Sequence, residues 1–297
     1  MGGSGGVCIP FAIAGPAEQR VACPRCARSE PDAALGVNIE LGIFQCFRCR
    51  WKGRFGSAAS GPGINSIRRL ADPAVAERRR KRLRVTWHET VPLGHPSAHA
   101  VRTYLTSRGL GEVLGNPPKV LRAHPGFDYW DGTQMVGQFP AMVALFHDAS
   151  GDPVTLHVTY LRSDGGAKAS VPAPKKILSV PVRGATKGGA IRLHNVRDGF
   201  LGIAEGVETA LSLHLLHRVP VWSAYCANGL GCVALPYGLR KLLIGVDVDE
   251  SGTGEAVAKT LAERLLHRKR PPEVFFIKPD GLAPRDLNDE LMQRRAS

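Results

Sequence analysis

The sequence predicts an α/β protein in three parts: a small cysteine-bearing β unit, a mixed α+β middle subdomain, and a C-terminal third built on a central parallel sheet. Three observations carry this. Four of the seven cysteines fall in two Cys-x2-Cys pairs within the first fifty residues. Residues 141–148 and 153–161 read as strands joined by the turn Asp148–Asp152. From residue 200 onward, short apolar strands alternate with helices, which is the pattern of a parallel sheet. The 297 residues are 43% hydrophobic and 22% charged, enough apolar content to exclude wholesale disorder. No apolar run approaches the ~18 residues that span a bilayer. The N-terminus, MGGSGG and then Val7-Cys8-Ile9-Pro10, has neither a basic n-region nor a long apolar stretch, so a signal peptide is not expected. The net charge is +13, and residues 1–100 hold 15 basic against 7 acidic side chains. One-sided positive charge points to a polyanionic partner, of which nucleic acid is the commonest.

Cys23-x2-Cys26 and Cys46-x2-Cys49 are separated by 19 residues. Two thiolates on a tight turn can share one metal, and two such turns give a tetrahedral S4 site suited to Zn2+. The alternative is two pairs of buried reduced thiols. Pro24 serves the first turn, and Gly53 is expected to close the second. Residues 37–44 read as hairpin strands leading to the second pair. Four thiolates leave no open position, so the metal is structural. Arg25, Arg28, Arg48, Arg50, Lys52 and Arg54 crowd this ribbon, with Phe44, Phe47 and Trp51 among them. Cations beside flat rings suit single-stranded nucleic acid. Phe44 is expected to pack the core; for Phe47 and Trp51, packing and base stacking both stay open. Cys8, Cys226 and Cys232 have no partner at ligand spacing and read as small buried hydrophobes.

Residues 56–65 are rich in Gly, Ser and Ala, which marks a flexible linker. Residues 68–84 carry eight Lys or Arg against Asp72 and Glu77. Asp72-Pro73 is a helix start. The charge run reads either as a solvated face or as a nucleic-acid contact. In the middle region, residues 97–108 form a short amphipathic helix ending at Gly109, with Val101, Tyr104 and Leu105 as its apolar stripe. His95 and His99 are four apart, but with no third ligand nearby they read as capping or packing. Ser163–Gly166 is a second turn. Lys168, Lys175 and Lys176 then decorate a Pro-interrupted segment ending at Ser179.

In the last third, strands are expected at 201–204, 219–225, 241–246 and 273–277. Helices are expected at 208–217 and 253–268, the second with Ala256, Val257, Leu261, Leu265 and Leu266 inward. Parallel sheets carry their sites at the carboxyl ends of the strands. Glu205 and Asp247 lie at those ends, and Asp249 follows. Like charges in a cleft repel unless a cation holds them, and Asp-x-Asp at a strand end matches Mg2+ or Mn2+ coordination. Such ions serve phosphate chemistry. Asp286 and Asp289 could complete the set, or Asp286 could be a helix N-cap.

These residues reach a resemblance. Residues 204–212 (AEGVETALS) look like the glutamate motif of a Toprim domain, in the variety found in phage and plasmid primases. Residues 245–249 (GVDVD) look like its Asp-x-Asp motif, and 286–289 (DLND) resembles the acidic tail motif of that subgroup. The ribbon, with IFQCFRC at 43–49, resembles the N-terminal ribbon of bacterial-type primases. Residues 101–110 and 175–179 are similar to the basic subdomain that precedes Toprim. After Asp249 the family often has a small residue and then Ala-Gly, whereas Glu250-Ser251-Gly252-Thr253-Gly254 stands here; the turn is still glycine-rich.

The resemblance implies a zinc ribbon at 1–55, a linker and basic helix at 56–91, a basic primase subdomain at 92–198 and a Rossmann-like Toprim catalytic domain at 199–297. It implies a primase of a bacterial mobile element or phage, making RNA primers on single-stranded DNA from ribonucleoside triphosphates. Asp247 and Asp249 would hold Mg2+ or Mn2+. Glu205 would be the general base or a further ligand. Asp286 and Asp289 would join the metal site, with Glu208 and Asn288 in support. Lys168, Lys175 and Lys176 would grip phosphates or template, and Arg48, Lys52 and Trp51 would contact DNA. The chain is expected to be a cytoplasmic, nucleoid-associated monomer, with a replicative helicase supplied in trans and no membrane. Against this stands a non-catalytic zinc-plus-Toprim DNA-binding module of recombination or repair, for which the full set of acids would be superfluous. A Toprim nuclease usually comes with an ATPase, and no Gly-x4-Gly-Lys-Ser/Thr loop occurs here. A type I topoisomerase needs a tyrosine nucleophile domain and a far longer chain.

Overall fold

A computed structural model describes residues 18–26, 33–38, 43–54, 73–182, 184–281 and 285–296. The chain divides into two units, 1–68 and 69–297. The expected linker at 56–65, Cys8, Arg28 and Asp72 lie outside the described residues.

The first unit is an antiparallel sheet of β1 (Glu18–Val21), β2 (Leu35–Asn38), β3 (Ile43–Cys46) and β4 (Lys52–Arg54), in that order. Alternation decides its faces: Leu35 and Val37 point inward on β2, Phe44 and Cys46 on β3. With Cys23 they make the buried core among the described residues of this unit. Gly53 does not close the second knuckle. It lies in β4 beneath the Phe44 ring, where a Cβ would stand 2.7 Å from that ring. The left-handed turn falls instead on Arg50, at φ 59°.

The second unit opens with α1 (Pro73–Glu89), the basic helix, with Pro73 as its first residue. A five-stranded antiparallel sheet follows, made of β5 (Val91–Pro92), β6 (Leu121–Asp131), β7 (Gln134–His147), β8 (Pro153–Tyr160) and β9 (Lys175–Ile177), ordered as in the sequence. β6 was not expected, because Pro125-Gly126 interrupts its pattern. The sheet absorbs them in a bulge between His124 and Phe127. Between β5 and β6 runs α2 (His99–Ser107), burying Ala100, Val101, Tyr104 and Leu105 as its spacing dictates. His95 caps the short helical turn before it, Nδ1 accepting from the Ser97 amide at 3.2 Å.

The last third is the parallel unit: β10 (Phe200–Ala204), α3 (Val207–His217), β11 (Val221–Ser223), α4 (Ala227–Cys232), β12 (Lys241–Gly245), α5 (Thr253–Leu266), β13 (Glu273–Ile277) and α6 (Leu287–Ala296). Its strand order is β11-β10-β12-β13, all parallel. β11 is shorter than the apolar run 219–225, since Pro220 has no amide to give and Tyr225 is left-handed at φ 59°. The inner face of α5 is Gly254, Ala258, Leu261 and Leu265. Leu261 and Leu265 are buried and Val257 packs on the core as expected, whereas Ala256 and Leu266 are exposed, because they flank the buried stripe. Cys226 and Cys232 are only half-buried; Cys226 caps α4, its sulfur accepting from the Gly229 amide at 3.3 Å. No helix among the described residues is long and apolar enough to cross a membrane.

Candidate functional site

The four ribbon thiols come together. One Sγ from each of Cys23, Cys26, Cys46 and Cys49 lies within 4.8 Å of all the others. The Cys23–Cys49 and Cys26–Cys46 separations are 3.7 and 3.5 Å. Zn–S bonds of about 2.3 Å imply a tetrahedral edge of about 3.8 Å, so the donor set fits Zn2+. The Arg48 and Cys49 amides both point at Cys46 Sγ from 3.4 Å. Burial opposes ionisation of Cys46, but these amides together with the Cys23 and Cys26 thiols outweigh it and lower the thiol to about 7. Burial and neighbouring sulfurs push Cys26 up to about 12; a cation among the four would bring them to thiolate.

The ribbon side chains divide. Trp51 packs on Phe44, rings 4.5 Å apart, and is half-buried. Phe47 is 60% exposed, with the Arg20 guanidinium 4.0 Å from its centroid. Of the two rings left open by the sequence, Phe47 is thus the one presented to solvent. Arg48 donates to the Cys26 carbonyl at 2.8 Å and braces the first knuckle. Lys52 is exposed on β4.

The acids gather at the carboxyl end of the parallel sheet. β10 and β12 are neighbours, with Ile203 opposite Ile244, so Glu205 and Asp247 leave the sheet side by side. Val248 and Arg285 exchange backbone hydrogen bonds of 2.8 and 2.9 Å, which brings Asp286 to the same turn. The consequence is electrostatic. Burial, then the charges of Glu205 and Asp286, raise the Asp247 carboxyl from the usual 3.8 to about 7. Burial also raises Glu205, against the pull of Lys175 and the Ala227 amide. Asp247 Oδ1 is buried and has no hydrogen-bond partner. A divalent cation would satisfy that oxygen and relieve the repulsion, so the donor set fits Mg2+ or Mn2+. No three of these acids bring donor oxygens within 4.8 Å of one another, unlike the thiols.

Three of the predicted ligands already have structural work. Asp249 accepts from the Thr253 and Gly254 amides, each at 3.1 Å, and from the Ser251 hydroxyl. It therefore caps α5, and these bonds lower its carboxyl despite burial. Asp286 Oδ1 accepts from the Asn288 and Asp289 amides, while Asp289 Oδ2 accepts from the Asp286 amide at 3.0 Å. Asp286 is the N-cap of α6, and Asp289 returns the cap with that oxygen.

Glu208 stands apart from the acids. It is 4% exposed, accepts from Tyr104 Oη at 2.8 Å and Lys175 Nζ at 2.9 Å, and has Lys168 Nζ at 3.6 Å. Burial works to raise its carboxyl, but Lys175 and Lys168 hold it well below the usual carboxylate range. Rather than shaping a metal site, Glu208 is the counter-ion that seats two lysines. A Cβ at Gly206 would meet Lys175 Nζ at 3.9 Å, so this ammonium lies over the turn that carries Glu205. The sequence missed Tyr104, whose hydroxyl hides in an apolar stripe. Lys176 sits over the Tyr129 ring at 3.7 Å and donates to the Trp130 carbonyl. Asn288 is fully buried; its Nδ2 donates to the Arg108 carbonyl at 2.7 Å and to Ser212 Oγ at 3.0 Å, fastening α6 to α2 and α3.

Against known proteins, residues 77–193 match a family described as a domain of unknown function (DUF7146), and residues 200–297 match the Toprim domain. No curated protein matches the chain. Among solved structures it is similar to the zinc-binding and RNA polymerase domains of the Aquifex aeolicus primase, at 15% identity and TM-score 0.41 over 95% of this chain and 78% of that one. It is similar to the primase fragment of the bacteriophage T7 primase-helicase protein, at 14% and 0.38 over 94% and 99%. The primase catalytic core of E. coli aligns at 13% and 0.43 over 75% of each chain. The parallel sheet with Glu205 and Asp247 at its carboxyl end is a Toprim domain.

Proposed function

We propose that the chain is a DNA primase of a bacterial mobile element or phage, joining ribonucleotides on a single-stranded DNA template. The observation that carries this reading is Asp247, a carboxylate at the sheet's carboxyl end with an unpartnered buried oxygen, crowded by Glu205 and Asp286. Asp247, Asp249 and Asp286 would hold Mg2+ or Mn2+, which supplies positive charge to a nucleotide's phosphates. Glu205, raised by burial, suits acceptance of the proton from a primer 3′-hydroxyl. The hydroxyl oxygen then bonds the α-phosphorus as the bond to the pyrophosphate oxygen breaks. Lys175 and Lys168, seated by Glu208, would offset the negative charge of the triphosphate. The zinc ribbon, with Phe47 and its cations, would bind the template strand. A replicative helicase is the expected partner, in the cytoplasm of the host, with the primase acting as a monomer.

The test is primer synthesis. Zinc-loaded protein with single-stranded DNA, labelled ribonucleotides and Mg2+ or Mn2+ should yield short RNA. Asp247→Asn should abolish it, a loss of at least about 100-fold, with zinc content and circular dichroism unchanged. Full synthesis by the variant would refute the assignment. Binding of single-stranded DNA by the wild type without any synthesis would favour the non-catalytic module.

A further inference from the structure

A cavity of about 500 Å3 opens between the middle region, which supplies Ala149, Ser150 and Arg192, and the Toprim domain, away from the acids. Its wall is cationic: Arg192, Arg264 and Arg268 line it, with Ser150 at the rim, Trp222 buried beneath and Tyr237 beside it. α5 fixes its place. Asp249 caps the first turn of that helix, whereas Arg264 and Arg268 lie at its other end, roughly 20 Å away at 1.5 Å per residue. What binds in this cavity is therefore not a nucleotide reacting at the acids.

All three guanidiniums are held by backbone carbonyls, not by carboxylates. Arg192 Nη2 donates to the carbonyls of Asp148 and Ala149 at 3.2 Å each. Arg264 donates to the Val233 carbonyl, and Arg268 to those of Leu235 and Pro236. Carbonyls fix direction but leave the charge in place. None of the three forms an ion pair among the described residues; Asp148 and Asp152 act on Arg192 electrostatically, and the Cys232 thiol on Arg264. Arg192 Nε is buried with no acceptor. Burial disfavours the charged forms of Arg192 and Arg264, and Arg268 adds repulsion to Arg264. Two guanidiniums lie over rings, Arg192 at 4.5 Å from Trp222 and Arg268 at 5.3 Å from Tyr237. Tyr237 is 93% exposed.

We propose that this cavity is a second anion site, binding the phosphate chain of a nucleoside polyphosphate or of free polyphosphate. Converging planar cations match phosphate oxygens, and the volume is that of a small-ligand pocket. The exposed Tyr237 face would add stacking for a base.

The experiment is calorimetric titration of the zinc-loaded full chain in buffer free of Mg2+ and Mn2+, where the acids repel phosphate. The probes are ATP, tripolyphosphate and an oligo-dT strand. Saturable binding of ATP or tripolyphosphate is expected, weakened about tenfold or more by Arg264→Gln. Because Arg264 also supports the 233 loop, Ser150→Glu is the second variant. It keeps every arginine, adds a carboxylate at the rim, and should weaken binding at least as much. Equal affinity for both probes, insensitive to Tyr237→Ala, assigns the site to the phosphate chain alone. Tighter ATP binding that Tyr237→Ala abolishes assigns it to a nucleotide. Three results overturn the proposal: no binding of either probe, binding untouched by Ser150→Glu, or pocket-dependent binding of oligo-dT only.

Discussion

At the scale of single residues, the buried titratable groups set the response to pH. His157 lies within β8, 5% exposed, its Nδ1 without a hydrogen-bond partner. Burial, then the charge of Lys175, lower it from 6.5 to about 4, against the pull of Glu208. The folded state thus binds fewer protons than the unfolded chain between these values. Stability is complete above the unfolded value of 6.5 and falls as pH drops through the window towards 4. Each tenfold weakening of proton binding is worth about 1.4 kcal/mol, so the full loss is on the order of 3 kcal/mol. His157→Phe should flatten the pH dependence of urea unfolding between pH 6.5 and 4 by an amount of this order. A wild-type slope retained in the variant would show that His157 is not the titrating group. Nothing in the sequence marked this residue, since a histidine in an alternating strand reads the same buried or exposed. The four thiols were legible because ligand spacing is local. Glu208 was legible as a motif residue but not as a counter-ion, because its partners Tyr104, Lys168 and Lys175 come from distant segments.

At the scale of elements, the acid crevice depends on how closely α5 approaches the end of β12. Gly254 is where they meet: a Cβ there would stand 2.1 Å from the Asp247 carbonyl oxygen and 3.2 Å from its carbon. Both are backbone, so an added methyl moves either the helix or the turn that carries Asp247. Gly254→Ala should cost at least about 2 kcal/mol and most of the activity. Two residues earlier, Gly252 is left-handed at φ 65° with nothing within 4 Å of its Cβ. Asparagine tolerates that conformation, so Gly252→Asn should stay within about 1 kcal/mol of wild type. Denaturant midpoints and primer synthesis on the two variants check the pair; equal damage from both would mean that crowding at Gly254 does not position the acids. The departure Glu250–Gly254 from the resembling motif is thus a turn whose second glycine makes a contact, not a loose loop. Sequence pattern placed β10, β12 and β13 to within a residue because apolar runs ending in an acid or turn have clear limits. It missed β6 because a bulge hides alternation, and it drew the inner face of α5 too wide because Ala256 and Leu266 are apolar without being inside.

At the scale of the whole chain, stability comes from separate sources in the two units. The ribbon's buried core is Cys23, Leu35, Val37, Phe44 and Cys46, with Trp51 leaning on it. Among the described residues so small a cluster offsets little of the entropy of ordering four strands, and metal binding is expected to add to it. Residues 69–297 have continuous cores. Their middle and Toprim portions are also tied by Tyr104 to Glu208, by Asn288 to the Arg108 carbonyl, and by Arg218 to Glu112. These ties join segments about a hundred or more residues apart, so the two portions should unfold together. The purified chain should carry one zinc, counted by metal analysis. Withdrawing it with a strong chelator should unfold the ribbon and expose its thiols to Ellman's reagent. The main calorimetric transition should move by less than about 3 °C, because all four thiol ligands lie in the first unit. Single-stranded DNA affinity should fall over the same chelator range, since the ribbon's cations and the exposed Phe47 lose their arrangement together. A main transition that collapses with zinc would mean that the ribbon is integral to the larger unit. Unchanged DNA affinity would remove the ribbon from the template path and leave that role to the basic helix α1.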